Sequence, residues 1–147
     1  MKNILLILIG LLYINNLSAQ KYTKTYIKEA NNIGLEWLIK VNSGEYEKAY
    51  KHLADVLTSN TSLEDWISQI TMLMDEFGNL ESRKVTDTYF QSEVEGLGNG
   101  FYVIIEYDVK YSKTKKHSET LLLKQNDKLH WKILDFNYSF ENLDNTE

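Results

Sequence analysis

The sequence predicts an α+β domain with three helices packed on a strongly curved four-stranded antiparallel sheet, leaving a cone-shaped cavity between them. Three observations carry this. Apolar residues recur three and four apart up to Phe77, they alternate with polar residues from Arg83 onward, and the strand-like runs are joined by short turns. Helices that precede an antiparallel meander pack on one of its faces.

The chain opens on Met1-Lys2-Asn3, an unbroken apolar run from Ile4 to Ile14, and a polar stretch that ends on Ala19. That order is a secretory leader, too short in its apolar part to span a bilayer, with Gln20 expected to begin the mature chain. Export to a periplasm or to the medium follows, with no membrane anchor left after cleavage. Residues 20–140 then form one domain, and the acidic tail 141–147 is expected to fray.

The first helix is expected over residues 24–42, where Ile27, Ala30, Gly34, Trp37, Leu38 and Val41 keep helical spacing; Asn42-Ser43-Gly44 stops it. A second, over 45–58, carries Tyr46, Ala49, Tyr50 and Leu53 on its apolar side. Thr61 and Glu64 stand in capping-box relation before a third, whose stripe of Leu63, Trp66, Ile67, Ile70, Leu73, Met74 and Phe77 ends at Gly78. In the first strand Val85, Asp87 and Tyr89 alternate with Lys84, Thr86 and Thr88. Gly96–Gly100 is a hairpin turn rather than a phosphate loop, because it joins two strands and opens no helix. From Phe101 to Tyr111 the odd-numbered residues are all apolar or aromatic, and they are expected to face the helices. Strands over 117–124 and 129–138 complete the meander.

Composition bounds the function. The chain holds no cysteine and no proline, so it has no disulfide framework and no thiol to ligate metal or accept lipid. A net charge of −5, one unit more negative once Lys2 leaves with the leader, argues against general binding of nucleic acid. His52, His117 and His130 are scattered, with no helix-borne ligand pair, so neither a metal site nor a cofactor is expected. His117, beside the basic turn of Lys110, Lys113, Lys115 and Lys116, is expected to be solvated. Asn60-Thr61-Ser62 and Asn137-Tyr138-Ser139 fit the glycan acceptor pattern, relevant only in a eukaryotic secretory route.

Arg83 is the only arginine among sixteen basic residues. It is either an anion contact at the cavity mouth or, as we favour, one half of a buried pair with Glu119. Tyr46 and Tyr50, four apart, share a helix face. With Asp108 or Glu106 near them they would match the donor and carboxylate of an isomerase or dehydratase. An aromatic core stripe is the plainer account. Trp37, Trp66, Phe101 and Trp131 are expected in the core.

The ordered set Ala30, Trp37-Leu38, Ser43-Gly44-Glu45-Tyr46, Tyr50, Trp66, Phe77-Gly78, Ser82-Arg83, Gly100-Phe101-Tyr102-Val103, Glu119-Thr120 and Trp131 resembles the domain of unknown function 4019 family of exported bacterial proteins. Tyr50 stands where that family frequently has tryptophan. The resemblance implies a nuclear-transport-factor-2-like fold and no particular reaction. Binding of a small apolar ligand or a protein partner, through Tyr46, Tyr50, Arg83 or Asp108, is the leading functional expectation. Cavity-based acid–base catalysis and a structural or assembly role are the alternatives.

Overall fold

A computed structural model describes the backbone of residues 2–143 and the side chains of residues 22–143. The expected leader falls where side chains lie outside the described residues, and so does the end of the expected tail, 144–147. Helix α1 (Lys2–Asn42) is followed by short α2 (Tyr46–Tyr50), short α3 (Asp55–Thr58) and α4 (Leu63–Phe77). Strands β1 (Leu80–Val94), β2 (Gly98–Tyr111), β3 (Thr114–Gln125) and β4 (Trp131–Asn142) then form one antiparallel sheet in sequence order. Among the described residues no helix is long and apolar enough to cross a membrane.

The helical half differs from expectation in two places. First, the helix expected over 45–58 is broken at Leu53-Ala54. Backbone pairing with the sheet outcompetes helix there: the Ala54 N–H donates to Ile133 O at 2.8 Å, the Ile133 N–H donates to His52 O at 2.8 Å, and Leu53 forms a parallel bridge with Ile133. Second, α4 is capped by Ser62 rather than Thr61. The Ser62 hydroxyl accepts the Asp65 N–H at 3.1 Å and donates to the Asp65 carboxylate at 2.8 Å, while the Thr61 carbonyl is occupied by the Tyr50 hydroxyl at 2.7 Å. Gly78, at φ +79°, ends α4 as expected, and a Cβ there would collide with Ser112 Oγ.

The sheet is longer at nearly every strand end than alternation alone predicts, and β4 carries pairing through Asn142, into the expected tail. Bulges also change which residues share a face. Around Thr86 the register shifts, so Arg83 and Val85 lie opposite Val109 and Tyr107, whereas Thr88 and Phe90 lie opposite Ile105 and Val103. Asp87 and Tyr89 therefore leave the face that Val85 occupies. A second bulge at Leu134 sets Ile133 opposite Leu123 and Phe136 opposite Leu121, which brings Phe136, Tyr138 and Phe140 to the helix side.

The core lies between α1, α4 and the helix-facing side of the sheet. It includes Trp37, Leu38, Phe77, Val103, Ile105, Val109, Leu121, Leu123 and Ile133, all buried. Trp131 is buried as well, with its indole N–H donating to Glu29 at 3.3 Å and its ring edge-on to Tyr26. Phe101 is not core: it is 42% exposed, stacks on Tyr26 and packs at a tilt against Phe90. Trp66 is only half-buried, because the space between α4 and β4 is not filled by side chains. On the opposite face Tyr102 is buried by its own hairpin, donating to Leu97 O and Gly98 O beneath the Lys124 ammonium.

Candidate functional site

Two places concentrate chemistry. The first is a polar cluster inside the fold. Arg83 on β1 donates from Nε to Glu119 Oε2 at 2.7 Å and from Nη2 to Glu119 Oε1 at 3.0 Å, a bidentate fork. Its Nη1 donates to Asn42 Oδ1 at 2.8 Å and its Nη2 also to the Tyr111 hydroxyl at 2.7 Å. Tyr111 in turn donates to Glu119 Oε1 at 2.9 Å, and Asn42 Nδ2 donates back to Tyr111 at 3.1 Å. Four elements meet here: Asn42 is the last residue of α1, Arg83 lies on β1, and Tyr111 and Glu119 flank the β2–β3 turn. Burial, reinforced by the Glu119 charge, pushes the Tyr111 phenol up to about 12, so it stays a donor at neutral pH.

His117 extends this cluster and is not solvated. It is 1% exposed, boxed between Phe77, Tyr111 and Phe140. Its Nδ1 shares a hydrogen with Thr114 Oγ1 at 2.9 Å, while Nε2 has no hydrogen-bond partner and lies 3.8 Å from Glu119 Oε1. Burial, only partly opposed by Glu119, lowers its pKa below the ordinary value, which keeps the ring neutral. The basic-turn lysines suggested solvent in the sequence, but Lys116 at φ +50° turns the strand and β3 alternation sends His117 inward.

A cavity of about 490 Å³ opens beside Arg83, walled by Leu35, Ile39, Leu80 and Val85. An anion entering it meets a guanidinium whose charge Glu119 already neutralises. The cluster is therefore poor in free bonding capacity.

The second place is a groove of about 500 Å³ between α4 and β4. Trp66, Ile70 and Leu73 line one wall, Ile133, Phe136 and Tyr138 the other, with Trp37 also contributing. Two carboxylates, Glu76 and Asp135, belong to its lining, and no lysine, arginine or histidine does. Trp37 stands edge-on to Phe136 at 5.3 Å, and its buried indole Nε1 has no hydrogen-bond partner.

The expected ligand residues do not assemble into one site. Tyr46 and Tyr50 pack on Trp66 at 6.5 and 5.7 Å between ring centroids, behind the groove wall. Asp108 is exposed and points to the other side of the sheet from its buried neighbours Tyr107 and Val109. Glu106 also lies on that side, accepting from the Tyr89 hydroxyl at 3.2 Å. No tyrosine–carboxylate pair of the expected kind forms, and Arg83 is engaged with Glu119. Among the described residues no three histidine or acidic side chains cluster as metal ligands. The groove itself was hidden from sequence because the Leu134 bulge sets its β4 wall. The one available hint was Trp66 in the apolar stripe of α4.

Residues 33–136 match the family model described as Protein of unknown function (DUF4019). No curated protein matches the chain.

Proposed function

The chain belongs to the DUF4019 family, and from its own geometry we propose a non-catalytic binding protein that holds a small ligand in the groove between α4 and β4. The carrying observation is the aromatic lining left half-buried there, with Trp66 as its largest member. Concave, mostly apolar sites of this volume with a few polar groups are where small molecules bind. The same reading takes the helix-covered meander as the cone-like nuclear-transport-factor-2-like arrangement, supported by the order of helices before four strands. It also takes residues 1–19 as a leader lost on export, supported by Lys2, the run Ile4–Ile14 and Ala19.

A fragment screen followed by nuclear magnetic resonance tests the groove. Apolar ring-bearing fragments are expected to shift the Trp66 indole N–H and the Met72 methyl while leaving Tyr102 and Ile104, on the far face, unmoved. Fragments that bind only elsewhere, or not at all, would overturn it. N-terminal sequencing of protein recovered from the native host tests the leader, with Gln20 expected first.

A further inference from the structure

The two outer strands of the sheet are not treated alike. The edge of β4 is covered where Leu53 bridges to Ile133 and the Ala54 N–H donates to its carbonyl. Among the described residues β1, the other outer strand, pairs only with β2. An open edge presents unpaired N–H and C=O groups to which another strand can add. Apolar surface flanks it. Leu80 and Val85 on β1 and Leu35 and Ile39 on α1 are between 38% and 57% exposed, and they line one hollow beside Arg83. Exposed apolar surface gathered in this way marks an interaction site.

The order of residues along β1 says what covers it. Leu80, Arg83 and Val85 lie opposite Tyr111, Val109 and Tyr107 and so share the helix-facing side, whereas Ser82 and Lys84 lie opposite Lys110 and Asp108 on the far side. Glu81, between Leu80 and Ser82, is the extra residue of a bulge. A two-fold axis perpendicular to the sheet at Arg83 lays a second β1 antiparallel to the first. Lys84 then falls opposite the second copy's Glu81-Ser82 pair and Val85 opposite its Leu80, and each contact occurs twice. Without the bulge Val85 would meet Glu81, and both matches would fail. Charges and bulges on an outer strand ordinarily deter pairing. Here the one-residue offset makes the strand complementary to itself. Glu81 and Lys84 are exposed and form no ion pair among the described residues, so both charges are open to a partner. Arg83 can meet its copy on the axis because Glu119 already neutralises it.

We propose that the occupant of this edge is a second copy of the chain. Strand β1 pairs with β1 across the axis at Arg83, and the sheet runs on through both molecules. Leu35, Ile39, Leu80 and Val85 of the two copies pack on the helix-facing side, and Glu81 pairs with Lys84 twice. The stretch Leu80–Val85 with its apolar flank is short, so the contact belongs with small interfaces, below about 1,200 Å² in total, and the dimer is expected to be reversible. The α4–β4 groove lies at the opposite edge of the sheet and stays open in it.

Sedimentation velocity on the protein recovered from its host, from about 1 µM to about 1 mM, is expected to show monomer passing to dimer. Slowed amide exchange in β1 and shifts of the Leu35, Ile39 and Val85 methyl resonances should follow the same concentration dependence. Glu81→Lys and Lys84→Glu each set like charges across the axis and should weaken association at least ~10-fold. Both positions are exposed, and circular dichroism should show each variant folded. Mixed in equal amounts, the two variants should associate again, because each then meets the opposite charge; a merely structural effect at either position would not give this recovery.

A monomer over the whole range would overturn the proposal and leave the edge to a strand of some other protein. A dimer insensitive to both reversals uses a different face, and a mixture that fails to associate denies the Glu81–Lys84 register; either result would overturn it too. Fragment binding at Trp66 is read separately, so this edge and the groove stand or fall apart.

Discussion

The Arg83–Glu119 cluster and the α4–β4 groove lie in one small fold, yet they treat polar groups in opposite ways. In the cluster, the guanidinium, carboxylate, phenol and carboxamide satisfy each other within 2.7–3.1 Å. In the groove, the Trp66 and Phe136 rings stand half-buried, and the buried Trp37 indole N–H has no acceptor among the described residues. The region richest in ionisable groups is thus the one least able to bind anything else. Dense charge marks architecture here, and unspent capacity marks the place to look for ligand.

The sharpest way to break that contrast is Glu119→Ala. It leaves Arg83 buried and uncompensated, and should destabilise by about 3–5 kcal/mol in urea titrations. Near-wild-type stability would mean the cluster is solvated and free to bind. Arg83→Lys should also lose stability, since a point charge cannot replace the fork. The two tryptophans form the next test. Trp37→Ala should cost about 3–5 kcal/mol as a core truncation, and Trp66→Ala roughly half as much, because its ring is only partly covered. Equal costs in melting experiments would argue that the groove is closed core.

A pH titration sharpens the picture further. His117 is held neutral by burial, with its folded pKa below the unfolded 6.5. Its contribution is complete above pH 6.5 and declines as pH falls toward the folded value, where the unfolded chain binds the extra proton. His52 shifts in the same direction, through burial, so His117→Phe should flatten only part of the slope. Denaturation midpoints measured from pH 7.5 to 5 would show this, and a flat profile would contradict a sealed imidazole. The smallest effect concerns the end of the groove. Tyr50→Phe removes the hydrogen bond to Thr61 O and should cost about 1 kcal/mol, leaving fragment binding at Trp66 intact.

How much of this could be read from residues alone varies by region. The alternation of β2 and the stripe of α4 are strong periodic signals, and both elements lie where the periods put them. The Arg83–Glu119 contact was nameable because a lone arginine among lysines invites a search for an acid across a sheet. What escaped depends on tertiary pairing. A bulge at Leu134 cannot be seen in a strand that alternates acceptably either way, yet it decides that Phe136 and Tyr138 face α4. Likewise the break at Leu53-Ala54 has no glycine or proline to announce it; it exists because Ile133 offers a donor and an acceptor there. His117 was misplaced for a related reason: three nearby lysines say nothing about the side of a strand on which their neighbour points.

That pairing of Leu53 with Ile133 joins positions about eighty residues apart, and closing so long a loop carries a large entropic cost before any contact repays it. A chain leaving the ribosome reaches Ile133 only after all four helices and three strands, so α2 and α3 cannot take their final angle until β4 has emerged. Nascent molecules stalled before β4 would carry Trp37 and Trp66 uncovered, and these are the species that a holdase chaperone should recognise during biogenesis.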